Sequence, residues 1–254
     1  MKTTLWCVFA IFAVVLSAQN HAGGEIIRDD FSVQYAANIP NAAANLVADR
    51  VEAALKLVRA YLAQAPSYSG PPYQWPMKVI IEPDRFSPYQ SRNEIYLPEA
   101  RILNLFNGVK DARIDLGIIH EVTHVLAASY ARKNHDRFYD DGLAVYLQHR
   151  FGATPNYPDF GLDLYVAVAM TAAEYGDLIS LAEAEAVRGN RENSVGRKLA
   201  YLQEGAFTQF LIENYGIDDY ISIYQGANPK DVTGHTFAEL EAAWVMMIRA
   251  TPVQ

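Results

Sequence analysis

At 254 residues, 51% apolar and 20% charged, the chain has the material for one sizeable hydrophobic core, and its composition is not that of a disordered segment. Its formal charge of −8 is spread along the chain, with no block of lysine and arginine. That distribution argues against tracking phosphates or a polybasic membrane patch, so nucleic acid is not an expected partner.

In chain order, the first segment reads as a targeting signal. Lys2 precedes an uninterrupted apolar run over 5–16, and the small and polar residues Ser17, Ala18, Gln19 and Asn20 follow. The run falls short of the about 20 apolar residues a helix needs to cross a bilayer. We expect residues 1–24 to be a signal peptide cut between Ser17 and Gly24, and residues 25–254 to form one soluble domain, secreted or periplasmic, without stable membrane insertion. The only cysteine, Cys7, lies inside that signal. The mature domain would then hold neither a disulfide nor a cysteine nucleophile, and any metal must be bound by His, Asp or Glu.

Beyond the signal, alternation of Phe31, Val33 and Tyr35 predicts a strand within 30–36. Leu46, Val47, Val51, Ala54, Leu55, Val58 and Leu62 recur at helical spacing and predict an amphipathic helix over 41–63. The Pro, Gly, Ser and Tyr cluster at 66–76 reads as a loop, with strands following at 77–81 and 93–97. From residue 111 onward the pattern is helical: 111–132, 139–150, 162–175, 194–215 stopped by Gly216, 217–224, and 237–249. The expected fold is α+β, with a small mixed or antiparallel N-terminal sheet packed on a mostly helical C-terminal half.

The segment His120-Glu121-Val122-Thr123-His124 lies among the apolar residues Ile114, Ile118, Ile119, Val125 and Leu126. On a helix, histidines at i and i+4 share one face about one turn apart, so both imidazoles can reach a single ion. Glu121, adjacent to the first histidine, points beside that ion and suits a general base acting on water. The alternative, an exposed polar face with two unrelated histidines, conflicts with the apolar neighbours, which would bury the trio and demand a partner for it. A catalytic zinc site takes three protein ligands and leaves the fourth position open. The metzincin spacing requires Gly at 127 and His at 130, where the chain has Ala127 and Tyr130. A downstream carboxylate on a second helix is the remaining common solution, and residues 138–146 (FYDDGLAVY) hold two candidates.

The pair HEVTH and DGLAVY resembles the peptidase MA-like gluzincins, zincin-like zinc metallopeptidases in which HExxH is followed by a Glu-Gly-x-Ala-x-Tyr segment. The resemblance places the third ligand at Asp141, one methylene shorter than the family's Glu, with Gly142, Ala144 and Tyr146 matching. Asp140 reads as a helix N-terminal cap. The likeness continues through 201–216 (YLQEGAFTQFLIENYG) and 237–244 (FAELEAAW), and so covers about half the chain, 111–249, in order. It implies that His120, His124 and Asp141 bind Zn2+, that Glu121 is the base, and that Tyr201 donates a hydrogen bond to the oxyanion. His149 and His235 are rivals of Tyr201 without a motif around them. In such enzymes the strand before the HExxH helix is the sheet edge, so 93–97 is expected to be an edge strand able to pair with an extended peptide. The function implied is secreted, zinc-dependent hydrolysis of peptide bonds in a peptide or protein substrate. The alternative is a non-catalytic secreted binding or scaffold domain that retains the fold, favoured by the Asp at 141, and the motif also admits hydrolysis of a non-peptide amide.

Overall fold

A computed structural model describes residues 23–73, 75–109, 116–127, 137–154, 157–190 and 192–252. The apolar run at 5–16 and Cys7 lie outside them. The first described element is strand β1 (Gly24–Ile27), which pairs antiparallel with β2 (Phe31–Tyr35), Ile26 opposite Val33.

Helix α1 (Asn41–Leu62) then carries the chain back, so that β3 (Met77–Glu82) joins β2 in parallel. A parallel neighbour requires such a crossover. Val47, Val51, Ala54, Leu55, Val58 and Leu62 form the buried stripe of α1 as their spacing predicts, with Ala43, Ala44 and Ala48 completing it, while Leu46 sits at its margin. β3 buries Met77, Val79 and Ile81 in strict alternation.

The hairpin of β4 (Tyr89–Ser91) and β5 (Glu94–Pro98) closes a five-stranded mixed sheet in the order β1-β2-β3-β5-β4. This order corrects the expectation for the strand at 93–97. β5 is bonded to β3 on one side and to β4 on the other, so the edge is the three-residue β4. Three residues are too few to show alternation, and β4 was therefore invisible in the sequence.

The remaining elements are helical: α2 (Glu99–Phe106), α3 (Ile118–Ala127), α4 (Arg137–Phe151), α5 (Leu164–Tyr175), α6 (Leu181–Gly189), α7 (Ser194–Tyr215), α8 (Ile217–Tyr224), α9 (Pro229–Thr233) and α10 (Phe237–Ala250). The fold is α+β, as expected. Of the helix expected over 111–132, residues 118–127 are helical, 116 and 117 are not, Gly117 having a φ of +65°, and 111–115 and 128–132 lie outside the described residues. α2, α6 and α9 were not anticipated. α2 buries only Ile102, and α6 only Leu181, Ala184 and Arg188, so neither presents an apolar stripe long enough to read. α3 packs between α1 and α4, and α7 packs along α4, α5 and α6. Among the described residues no helix is long and apolar enough to cross a membrane.

Candidate metal centre

Helix α3 buries Ile118, Ile119, Val122, Val125 and Leu126, so its polar residues cannot turn to open solvent. His120 and His124, one turn apart, instead bring their Nε2 atoms to 3.1 Å. Helix α4 delivers Asp141, whose Oδ1 lies 3.6 Å from His120 Nε2 and 3.5 Å from His124 Nε2. The structure thus brings together the three residues that the sequence resemblance implied, drawn from two different helices.

Two observations test whether a zinc ion fits there. Ligands held 2.0–2.1 Å from a tetrahedral centre stand about 3.4 Å apart, and the three donor separations of 3.1, 3.5 and 3.6 Å bracket that spacing. Charge agrees with geometry. Glu121, Asp140, Asp141 and Glu204 cluster in and around the triad, and the guanidinium of Arg188 is the permanent cation bonded among them. Carboxyl groups buried this densely ionise together only where a cation offsets them, so a bound dication would displace the protons that burial otherwise favours. The donor set suits a dication.

The surrounding polar groups orient these donors. His124 Nδ1 lies 2.9 Å from Oδ1 of Asp140, which also accepts a hydrogen bond of 3.0 Å from the Tyr224 hydroxyl. A carboxylate can only accept, so Nδ1 carries a proton and Nε2 is the nitrogen that, once deprotonated, can offer its lone pair to an ion at the triad. Asp140 is therefore not a cap. α4 begins at Arg137, which puts Asp140 inside the first turn with its carboxylate turned onto His124. The second oxygen of Asp141 accepts a hydrogen bond from Arg188 Nη1, and the same nitrogen donates to Glu204 Oε2 at 2.9 Å.

Protonation follows these contacts. Burial pushes the Glu121 carboxyl up, partly countered by His120 and His124. At His124 burial disfavours the charged ring, but Asp140 and Asp141 together lift it well above the usual histidine range. Burial works against the Asp141 carboxylate too, yet bonds from His120 and His124, with the charge of Arg188, hold it well below the usual range. Burial raises Glu204 well above its ordinary value against the pull of Arg188.

Tyr201, on α7, places its ring 6.5 Å from that of His120, between the guanidinium groups of Arg188 and Arg197 at 5.3 and 5.7 Å. Burial, followed by the nearby Asp141, pushes its phenol up to about 12. Its two rivals are engaged elsewhere. His149 Nδ1 lies 3.3 Å from Asp159, and His235 packs near the ring of Tyr215.

No protein-family profile matches the chain, and no curated protein is found to be similar to it. Among solved structures it is similar to a two-domain M1 zinc metallopeptidase bound to L-arginine, with 17% identity and a TM-score of 0.41, over 86% of this chain and 47% of that one. It is also similar to an M1 zinc metallopeptidase from Deinococcus radiodurans bound to a Tyr-Ser-Ala substrate, with 17% identity and a TM-score of 0.40, over 88% of this chain and 49% of that one. The chain spans about half the length of these structures. A likeness so distant carries no inference about chemistry.

Sequence reasoning missed Arg188, Glu204, Tyr224 and the role of Asp140. Only one signal of the crossing was available: Asp141-Gly142 and Glu204-Gly205 each place an acid before a glycine. A Cβ on Gly142 would come within 2.8 Å of the Glu204 carbonyl oxygen, and one on Gly205 within 2.4 Å of Val145. A cleft of about 900 Å³ lined by residues such as Glu25, Glu82 and Arg85 includes no member of the triad.

Proposed function

We propose that this protein is a zinc-dependent metallopeptidase that acts outside the cytoplasm. The observation that carries the reading is the convergence of His120 Nε2, His124 Nε2 and Asp141 Oδ1 at separations of 3.1 to 3.6 Å, with the buried Glu121 on the same helix. These three residues hold the ion. When bound, zinc supplies Lewis acidity to a scissile carbonyl and to a water molecule.

Glu121 accepts the proton of the attacking water and passes it to the leaving amine nitrogen. Burial pushes its carboxyl upward, the direction that suits a group which must both take and release a proton. Tyr201 keeps its phenolic proton and donates a hydrogen bond to the carbonyl oxygen as negative charge develops there. Export is supported by Lys2 and the apolar run at 5–16. Cleavage ahead of β1 leaves the described sheet whole.

One observation favours a second reading, a binding domain without catalysis. Asp141 is already paired with Arg188, so the cluster has an ion pair of its own. Elemental analysis and a diverse peptide library separate the two. The wild type is expected to carry one zinc and cleave peptides, His124→Ala to lose both, and Glu121→Gln to keep zinc while activity falls about 10² to 10⁴-fold, the usual worth of general acid–base catalysis. Zinc on a wild type that cleaves nothing would favour the binding domain. Full activity in Glu121→Gln would remove the base.

A further inference from the structure

The two oxygens of Asp141 do different work. Oδ1 faces both histidine Nε2 atoms, at 3.5 and 3.6 Å, while Oδ2 is held by Arg188. Arg188 is in turn anchored at 2.9 Å by Glu204, which is wholly buried and whose other oxygen has no hydrogen-bond partner among the described residues. The three residues come from α4, α6 and α7, so the bridge ties α4 to the consecutive pair α6 and α7 much later in the chain. The acids meet where α4 and α7 cross, and the glycines that follow them, Gly142 and Gly205, let the two backbones approach.

We propose that Arg188, anchored by Glu204, is a positioning residue that fixes Asp141 as a one-oxygen metal ligand. The inference rests on the metal reading above. An aspartate with both oxygens free could rotate about its last bond and present either oxygen, or both, to the ion. With Oδ2 taken by a buried guanidinium, only Oδ1 remains, and it is aimed at the histidine pair. A planar donor that bonds two carboxylates at once suits arginine better than lysine, whose ammonium is a point donor on a shorter reach. Polar groups that orient a metal ligand in this way are typically worth about 10 to 100-fold in metal affinity.

The test measures zinc affinity of the metal-free protein by competition with a chromophoric chelator, with circular dichroism as the check on folding. Two variants are used because removing Arg188 alone strands two buried carboxylates. Arg188→Lys keeps the cation. The double substitution Arg188→Met with Glu204→Gln removes one charge of each sign and leaves the net charge unchanged. Both are expected to fold and to bind zinc about 10 to 100-fold more weakly than the wild type. Within that range Arg188→Lys, the conservative variant, should bind more tightly than the double variant, a graded response that a merely structural arginine would not give.

Folded variants that bind zinc within twofold of the wild type would overturn the proposal and leave the metal site standing. Loss of fold in both variants would overturn it too, by making Arg188 a structural support. A wild type that binds no zinc would overturn the metal reading beneath it.

Discussion

His124 Nδ1 and Asp140 Oδ1 lie 2.9 Å apart, and this contact decides which nitrogen of the ring carries the proton and which faces the metal site. Replacing Asp140 by Ala should therefore weaken zinc binding about 10 to 100-fold. Asp140→Asn keeps an acceptor and should lose less. Chelator competition checks both, and zinc affinity unchanged in Asp140→Ala would show that His124 is oriented by packing alone.

Tyr201 sits beside His120 with its phenol raised to about 12, so it is protonated at neutral pH. Tyr201→Phe should leave zinc content intact and lower kcat for peptide hydrolysis about 10² to 10³-fold, the usual cost of one oxyanion donor. A normal kcat with a raised KM would instead make it a substrate contact.

Gly142 is pressed against α7, where an added Cβ would meet Thr208 Oγ1 at 2.6 Å and the Glu204 carbonyl oxygen at 2.8 Å. Since backbone cannot yield cheaply, Gly142→Ala should destabilise the fold by about 1 to 3 kcal/mol in denaturant unfolding. Among the described residues Gly189 has no atom near its Cβ position, so Gly189→Ala should change stability by less than about 1 kcal/mol. Equal stability in the two variants would contradict the close crossing.

Away from the metal centre, Asp30 pairs with Arg59 and accepts a 2.9 Å hydrogen bond from the Trp75 indole nitrogen. Arg59 above all holds the carboxyl below its ordinary value, and Trp75 adds to it, against a burial penalty larger than the contribution of Trp75. A depressed folded pKa stabilises above the unfolded value of about 3.9 and loses that contribution as pH falls through the folded value. With both side chains at least a third exposed, the effect at pH 7 is at most about 1 kcal/mol. The stability difference between wild type and Asp30→Asn should therefore shrink as the pH of the unfolding experiment is lowered below about 4. A difference that grows on acidification would reverse the sign assigned here.

Much of this architecture is legible locally. The i, i+4 pair of His120 and His124 and the apolar stripe of α1 are set by helix periodicity, which acts over a few residues and leaves a regular trace. The alternation of Phe31 with Val33 and of Val79 with Ile81 marks two buried strand faces in the same way. Asp141 was reachable only through resemblance, since nothing in the letters 138–146 distinguishes it from Asp140. Tertiary structure separated the neighbours: Asp141 turns to the histidine Nε2 atoms, and Asp140 turns to the far side of the His124 ring. It also made β4 rather than β5 the sheet edge, because strand order depends on hydrogen bonds between segments far apart in sequence. Arg188 and Glu204 left no trace of their partnership for the same reason. Their side chains sit 47 and 63 positions beyond Asp141, and a buried ion pair is specified by where helices cross, which no short-range periodicity records.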